Sequence, residues 1–281
     1  MSEDSQVHRT WTGARPDDPL FSVVIPAYNA RASIADAIES CLTNRVPIEV
    51  LVVEDGSPDP IHETDLPRGP VCLFTRARNG GTARARNRAI LAARGRWIAF
   101  LDADDAYEPG RLDAAAEELS HRSGLDGLVT DAVIISPDGS SRVSRPTVNS
   151  DGLLHLRTSA IGAAHILSRF LFESIGLFDP HWRVNEDSDL WLRMILSGAR
   201  IGYLPRPAYL YRLHQGAKTS RLDAVEGLHE FRDIHFVNAI RPRVPLKARG
   251  ILLARALKWE REALKAAWAR SSRAGKTNRD G

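Results

Sequence analysis

Trp97-Ile98-Ala99-Phe100-Leu101-Asp102-Ala103-Asp104-Asp105 decides the reading of this chain. The first five residues form a short apolar run, as a buried strand requires. Nothing about folding asks for three acids where such a strand ends. In an extended backbone, residues two apart point to the same side, so Asp102 and Asp104 are expected to converge and Asp105 to point away. Two hard carboxylates beside open solvent suit Mg²⁺ or Mn²⁺, which take oxygen ligands and share coordination with a substrate phosphate. The same acids also fit a solvated turn capping a helix that starts near Pro109. The triplet alone leaves both readings open.

Upstream, apolar strands alternate with helices. Phe21 to Ile25 reads as a strand that Pro26 ends, and Ala32 to Leu42 as a helix with Ile34, Ala37, Ile38, Cys41 and Leu42 on one face. Ile48 to Val53 and Val71 to Phe74 read as strands, and Thr82 to Ala93 as a helix stopped by Gly95. The pattern predicts an α/β fold with a mainly parallel central sheet flanked by helices. Ligands of such sheets bind beyond the carboxyl ends of the strands. Tyr28 and Asn29, Glu54 and Asp55, and Asp102 and Asp104 all fall there.

Downstream the pattern changes. Gly127 to Ile135 and Ser140 to Ser144 predict a hairpin about Pro137-Asp138-Gly139. Ser168 to Ile175 and Asp189 to Leu196 read as helices, and Ala199 to Leu204 as a strand. From Leu222 the chain is helical and basic, broken at Pro242 and Pro245, with residues 271–281 expected to fray. The expected division is a polar tail over 1–19, a main domain over 20–220 whose halves meet near residue 105, and a basic helical extension over 221–281.

The 281 residues are 43% hydrophobic and 26% charged, an ordinary globular balance. No apolar run approaches the ~18–20 residues of a membrane-spanning helix. The start of the chain lacks an apolar signal core, so a cytoplasmic protein is expected. Cys41 and Cys72 are the only cysteines and fit buried apolar positions better than a bridge. The net charge of +3 hides an asymmetry: residues 241–281 hold 12 Lys or Arg against 3 Asp or Glu. The basic excess belongs to this end. Ile251, Leu252, Trp259 and Trp268 share a helix there with Arg255, Lys258, Arg261 and Lys265. Such a helix either lies on an anionic membrane or packs on the main domain with a solvated basic face.

The turn after the first strand is Pro26-Ala27-Tyr28-Asn29, neither a Gly-x-Gly-x-x-Gly fingerprint nor a Gly-x-x-x-x-Gly-Lys-Ser/Thr loop. Tyr28 can stack on a nucleobase or simply cover the sheet edge. Asp55 can accept from a base N–H, or belong to an Asp-Gly-Ser turn. Arg86 stands on the apolar stripe of its helix with Ala89, Ile90 and Ala93. An inward Arg needs an anion, from substrate phosphates or from local aspartates. Glu186 and Asp187 open a helix in the second half, as a cap or as a base. Trp182 is either a sugar platform or a core aromatic. His214 is a third metal ligand, a diphosphate contact or polar surface.

Together Ser22 to Asn29, Val53 to Ser57, Asn79 to Asn87, Phe100 to Asp105, Phe172 to Asp179, Asn185 to Arg193 and Tyr211 to His214 resemble, in order and spacing, the family 2 glycosyltransferases. The resemblance covers about residues 20–215. It implies a GT-A fold, with a nucleotide-sugar half followed by an acceptor half. It implies that Ala27, Tyr28 and Asp55 hold the nucleoside, with Pro26, Asn29 and Arg86 nearby. Asp102 then meets the ribose or the metal, Asp104 binds Mg²⁺ or Mn²⁺ at the diphosphate, and Asp187 is the general base of an inverting transfer. Glu54 stands where the family often has Asp. The expected co-substrate is a nucleoside-diphosphate sugar, UDP favoured, and the expected acceptor a glycan or lipid-linked sugar. Contact with the inner membrane face is one of the two readings of the basic helix, beside packing on the main domain, and no nucleic-acid partner is expected. The alternatives are a nucleotidyltransferase, which needs a basic loop where Pro26 to Asn29 has no charge, and an inactive nucleotide-sugar-binding protein.

Overall fold

The structure is a computed structural model and describes residues 8–148, 162–214, 224–242 and 244–277. Four strands form its parallel centre: β2 (Phe21–Ala27), β3 (Ile48–Glu54), β4 (Val71–Thr75) and β5 (Trp97–Phe100), in the order β4-β3-β2-β5. Helices α1 (Ile34–Leu42) and α2 (Thr82–Ala92) lie between them in sequence. The buried face of α1 is Ile34, Ala37, Ile38 and Cys41, with Leu42 half-buried against the same core at the end of the helix. Both cysteines are free and buried.

Beyond β5 the sheet becomes mixed. Strand β9 (His165–Ser168) runs antiparallel to β5 and to β7 (Gly127–Ile135). Strand β10 (Ile201–Arg212) is parallel to β7 and antiparallel to β6 (Ala106–Tyr107). The hairpin partner of β7 is β8 (Ser141–Ser144), as expected. Helices α3 (Arg111–His121), α4 (Leu171–Ile175) and α5 (Glu186–Leu196) complete this half. Two further helices follow, α6 (Ala224–Ile240) and α7 (Leu246–Thr277).

Four elements differ from the sequence reading. Pro26 lies inside β2, paired with Val53, rather than ending it. Pairing of β2 with β5 stops at Val24, so the missing proline N–H costs no bond on that side. Strand β10 runs through Pro205 and Pro207 because its register against β7 shifts on both sides of Pro207, and bulges accommodate proline. Residues His165 to Ser168 form a strand, and only Leu171–Ile175 is helical. In the polar N-terminal segment, strand β1 (His8–Trp11) pairs antiparallel with β4, covering that sheet edge.

The main core fills the space between sheet and helices. A second, smaller cluster joins Trp182, Leu192, Ile234, Ala239 and Leu252. Helix α5 therefore packs on two sides: Leu190 and Met194 enter the main core, and Leu192 faces α6 and α7.

Candidate functional site

Strands β2 and β3 end side by side. The Asp55 N–H donates to the Ala27 carbonyl at 2.8 Å, and the Asn29 N–H to Ser57 Oγ at 2.9 Å. Asn29 holds a left-handed backbone with φ 54°, which asparagine tolerates. Gly56 is also left-handed, with φ +74°, and an added Cβ would sit 2.5 Å from the Arg78 carbonyl carbon. Glu54 is buried and fastens this loop, accepting from the N–H groups of Ser57 at 2.7 Å and Ile61 at 3.2 Å. Tyr28 stands exposed at the rim.

Asp55 is buried against the loop that opens α2. Its carboxylate pairs with Arg76 and accepts from the amides of Gly80 at 3.1 Å and Gly81 at 2.8 Å. Burial pushes its pKa up, against the opposing pull of Arg76 and the two amides. The carboxylate thus binds the glycine loop to the end of β3.

The acids after β5 do not follow an extended backbone. The Asp105 N–H donates to the Asp102 carbonyl at 3.0 Å, so the segment turns, and the alternation argument for Asp102 and Asp104 fails there. The three carboxylates go three ways. Asp102 Oδ1 meets Arg86 Nη2 at 2.7 Å, and Asp104 Oδ2 meets His214 Nε2 at 2.7 Å. Asp105 turns inward, accepting from Tyr209 Oη at 2.6 Å and the Arg212 N–H at 2.8 Å. Burial first, then the charge of Asp102, push the Asp105 carboxyl up to about 8.

Arg86 joins the two halves. Its Nη1 donates to Glu186 Oε1 at 3.1 Å, while Nη2 holds Asp102. Burial works against its charge, but Asp102, Glu186 and Asp187 outweigh that and raise its pKa. The anion that its inward position demands is therefore supplied by carboxylates of the chain. The next residue adds a second tie: the Asn87 side chain donates to the Phe178 carbonyl at 2.8 Å and accepts from its N–H at 2.9 Å.

Glu186 and Asp187 begin α5. Glu186 is buried on Arg86. Asp187 Oδ1 accepts from the Ser188 N–H at 2.7 Å. Its carboxylate packs on Gly162, where a Cβ would lie 2.2 Å from Asp187 Oδ2. Behind it a cavity of about 10 Å³ is lined by Arg86, Phe100, His165 and Trp191, among others, room for at most about one water. The loop entering α5 is held from α6: Glu230 accepts from the N–H groups of Arg183 at 2.9 Å, Val184 at 3.0 Å and Asn185 at 3.2 Å.

Trp182 packs in the second core, the structural one of its two readings. Three further residues gave no sequence signal. Gly162 seats Asp187. His165 is buried against Trp191 with Nδ1 2.6 Å from the Gly162 carbonyl. Arg111 is fully buried with its guanidinium 4.2 Å from the ring centroid of Tyr107 and 5.1 Å from that of Tyr209. Burial lowers its pKa.

The donors available to a divalent ion are Asp104 and His214, in contact and open to solvent, with Asp102 nearby in sequence. Among the described residues no group of three His, Cys, Asp or Glu side chains is arranged to hold a metal. A pair of this kind fits an ion that takes one or two protein ligands and completes its shell with phosphate oxygens and water, the habit of Mg²⁺.

A model of the family described as glycosyl transferase family 2 matches residues 22–190. The succinoglycan biosynthesis protein ExoO of Rhizobium meliloti (strain 1021) is 32% identical over 230 residues, covering 75% of this chain and 66% of ExoO. A glycosyltransferase of Bacillus subtilis (strain 168), EpsJ, is 30% identical over 219 residues, covering 72% of this chain and 63% of EpsJ. The chain thus spans just under two thirds of either relative. Among solved structures, S. aureus TarS 1-349 in complex with UDP-GlcNAc superposes with a TM-score of 0.67 at 22% identity, over 85% of this chain and 72% of that one. That likeness concerns the fold, which is of the GT-A kind.

Proposed function

The chain belongs to glycosyltransferase family 2, an enzyme family that transfers glycosyl groups, and on that premise we propose an inverting, metal-assisted transfer from a UDP-sugar to a hydroxyl of a glycan or lipid-linked acceptor. The observation that carries the mechanism is Arg86, which bridges Asp102 in the donor half and Glu186 beside Asp187 in the acceptor half. That bridge supports a single cleft with donor groups on one wall and a carboxylate on the other. UDP is favoured because the fold is shared with TarS, solved with UDP-GlcNAc. The name of ExoO supports polysaccharide synthesis as the setting.

In this reading Pro26, Ala27, Tyr28 and Asn29 present the nucleoside subsite, with Tyr28 free to stack on the base. Asp55 shapes that subsite by fixing the Gly80–Gly81 loop, and its carboxylate stands beside the base. Asp104 and His214, with Asp102, would hold Mg²⁺ or Mn²⁺. Bound there, the ion would neutralise charge growing on the diphosphate as it departs. Asp187 takes the proton of the acceptor hydroxyl while that oxygen bonds to the anomeric carbon. The bond from that carbon to the diphosphate breaks on the opposite face, so the configuration inverts.

Calorimetric titration with UDP, paired with an assay of UDP release across a panel of UDP-sugars, tests the proposal. Binding should need Mg²⁺ or Mn²⁺ and weaken at least ~10-fold in Asp104→Ala, as expected when a ligand of a shared phosphate–metal site is lost. Undiminished UDP affinity in excess chelator would refute the metal assignment. Binding without turnover on any donor and acceptor would return the chain to a nucleotide-sugar-binding role.

A further inference from the structure

Helix α7 has two apolar faces, and among the described residues one of them is covered by neighbouring elements. Leu252, Ala256 and Ala263 are buried. Trp259 stacks on Phe231 of α6 with ring centroids 5.0 Å apart. These contacts fix the helix to its neighbours, so Leu252 and Trp259, which the sequence offered as membrane-facing, face inward. A different row faces out: Leu246, Leu253, Leu257 and Leu264 are 85%, 39%, 63% and 60% exposed. At 100° per residue the four fall within about 40° of one another, in a row about 27 Å long, roughly 110° around the helix from the buried face.

Cations border this row. Lys247, Lys258, Arg261 and Lys265 are exposed on one side of it, Lys265 also pairing with Glu262 at 2.9 Å. Along that side a groove is lined by Lys247, Ile251, Arg255 and Lys258. Over 246–277 the helix carries nine Lys or Arg against two Glu.

The 7-4-7 spacing of the leucines would also suit a coiled-coil seam with a second copy. Charge and seam chemistry argue against that partner. The seam positions between the leucines are Gly250 and Glu260, neither of which fills a hole. The flanking e positions hold Lys247, Ala254 and Arg261, with Arg249, Ala256 and Ala263 at the g positions where acidic partners would have to stand. An anionic bilayer satisfies both features: leucines enter the acyl boundary and the lysines meet headgroup phosphates. We propose that the Leu246–Leu264 face of α7 docks the protein on an anionic membrane surface, the helix lying in the plane of the interface. None of the described helices is long and apolar enough to cross a membrane. The docking face is separate from the transfer site and does not depend on its assignment.

Flotation of the full chain with vesicles tests this. The protein should float with vesicles of equal parts phosphatidylcholine and phosphatidylglycerol, and remain at the bottom with phosphatidylcholine alone. The double variant Leu253→Asp/Leu257→Asp should lose at least ~10-fold in vesicle affinity, and Lys258→Glu/Lys265→Glu should lose a similar factor that salt reproduces in the wild type. UDP affinity and the melting temperature should be unchanged in both, which separates lost docking from lost folding. If the more conservative Leu257→Ser also floats like the wild type, or if the wild type ignores anionic vesicles, the proposal fails. A wild-type dimer that the leucine variants dissolve, with vesicle binding unchanged, would assign the face to a second copy instead.

Discussion

Gly162 has no room for a methyl group, because Asp187 occupies the space: its Oδ2 lies 2.2 Å and its Cβ 2.7 Å from where a Cβ would stand. Gly162→Ala should therefore push the Asp187 side chain aside while leaving the donor half untouched. The expected result is a fall in kcat with UDP affinity retained. Asp187→Asn should do the same more severely, by at least ~10²-fold, the low end for loss of a general base. Steady-state transfer kinetics beside UDP calorimetry read both variants. Near wild-type transfer by Asp187→Asn would leave Asp187 as a helix cap. At this scale some of the site was legible in sequence. An arginine on an apolar stripe demands an anion, and Arg86 found Asp102 and Glu186. Gly162 gave no such signal, since its partner is distant in the chain and only the fold brings them together. The three acids misled in a specific way: alternation assumes an extended chain, and a backbone bond from Asp105 to Asp102 bends it.

Helix α6 holds α5 through two side chains, Glu230 and Asn238. Three successive amides before α5 all donate to Glu230, and Asn238 reaches the buried Asp189 of α5 at 3.1 Å. The helix thereby fixes the N-terminus from which Asp187 projects. Glu230→Ala strands those donors, and should cost about 1–3 kcal/mol, the usual range for donors left unsatisfied. Glu230→Gln keeps one acceptor oxygen and should recover part of it. Urea midpoints measure the stability, and transfer assays should show kcat falling together with it. A Glu230→Ala enzyme as stable and active as the wild type would show that water replaces the carboxylate. Elements differed in how openly the sequence announced them. The central parallel strands are continuous apolar runs between helices and read directly. Strand β1 carries no such signal, because an edge strand needs apolar residues on one side only, and His8–Trp11 is partly exposed. The sequence signal of β10 ends at Leu204 because proline stops most strands, whereas here a shift of register makes space for it. The exposed leucines of α7 needed the structure, since only packing tells which of two apolar faces is covered.

At the scale of the whole molecule, two histidines among the described residues sit where they cannot easily charge. His165 lies at the junction of the halves, with Arg111, Arg86 and Asp187 around it, and burial takes its pKa from 6.5 down to about 3. The charge of Arg111 acts in the same direction, and only the bond to the Gly162 carbonyl opposes it. His235 on α6 is lowered to about 4, by burial first and Arg255 as well, against the Phe231 carbonyl. Unfolding releases both rings to the ordinary value of 6.5. Below that pH the unfolded chain binds protons that the folded chain refuses, so stability is full above 6.5 and falls as pH drops. The loss from His235 runs from 6.5 to about 4 and that from His165 from 6.5 to about 3. Once the unfolded ring is fully charged, each histidine contributes a slope of about 1.4 kcal/mol per pH unit. Urea midpoints should therefore decline below pH 6.5, by less than two protons' slope, because the Asp105 carboxyl, raised to about 8, keeps its proton in the folded chain and offsets one histidine down to the ordinary carboxylate range. His235→Gln cannot take up a proton, so its stability should fall less steeply than the wild type, by close to one proton's slope near pH 5. The difference between the two profiles isolates the histidine from the carboxylates common to both. Parallel profiles would mean that His235 charges as readily in the folded protein as in the unfolded one, and that α6 opens to water far more often than its packing on α5 implies.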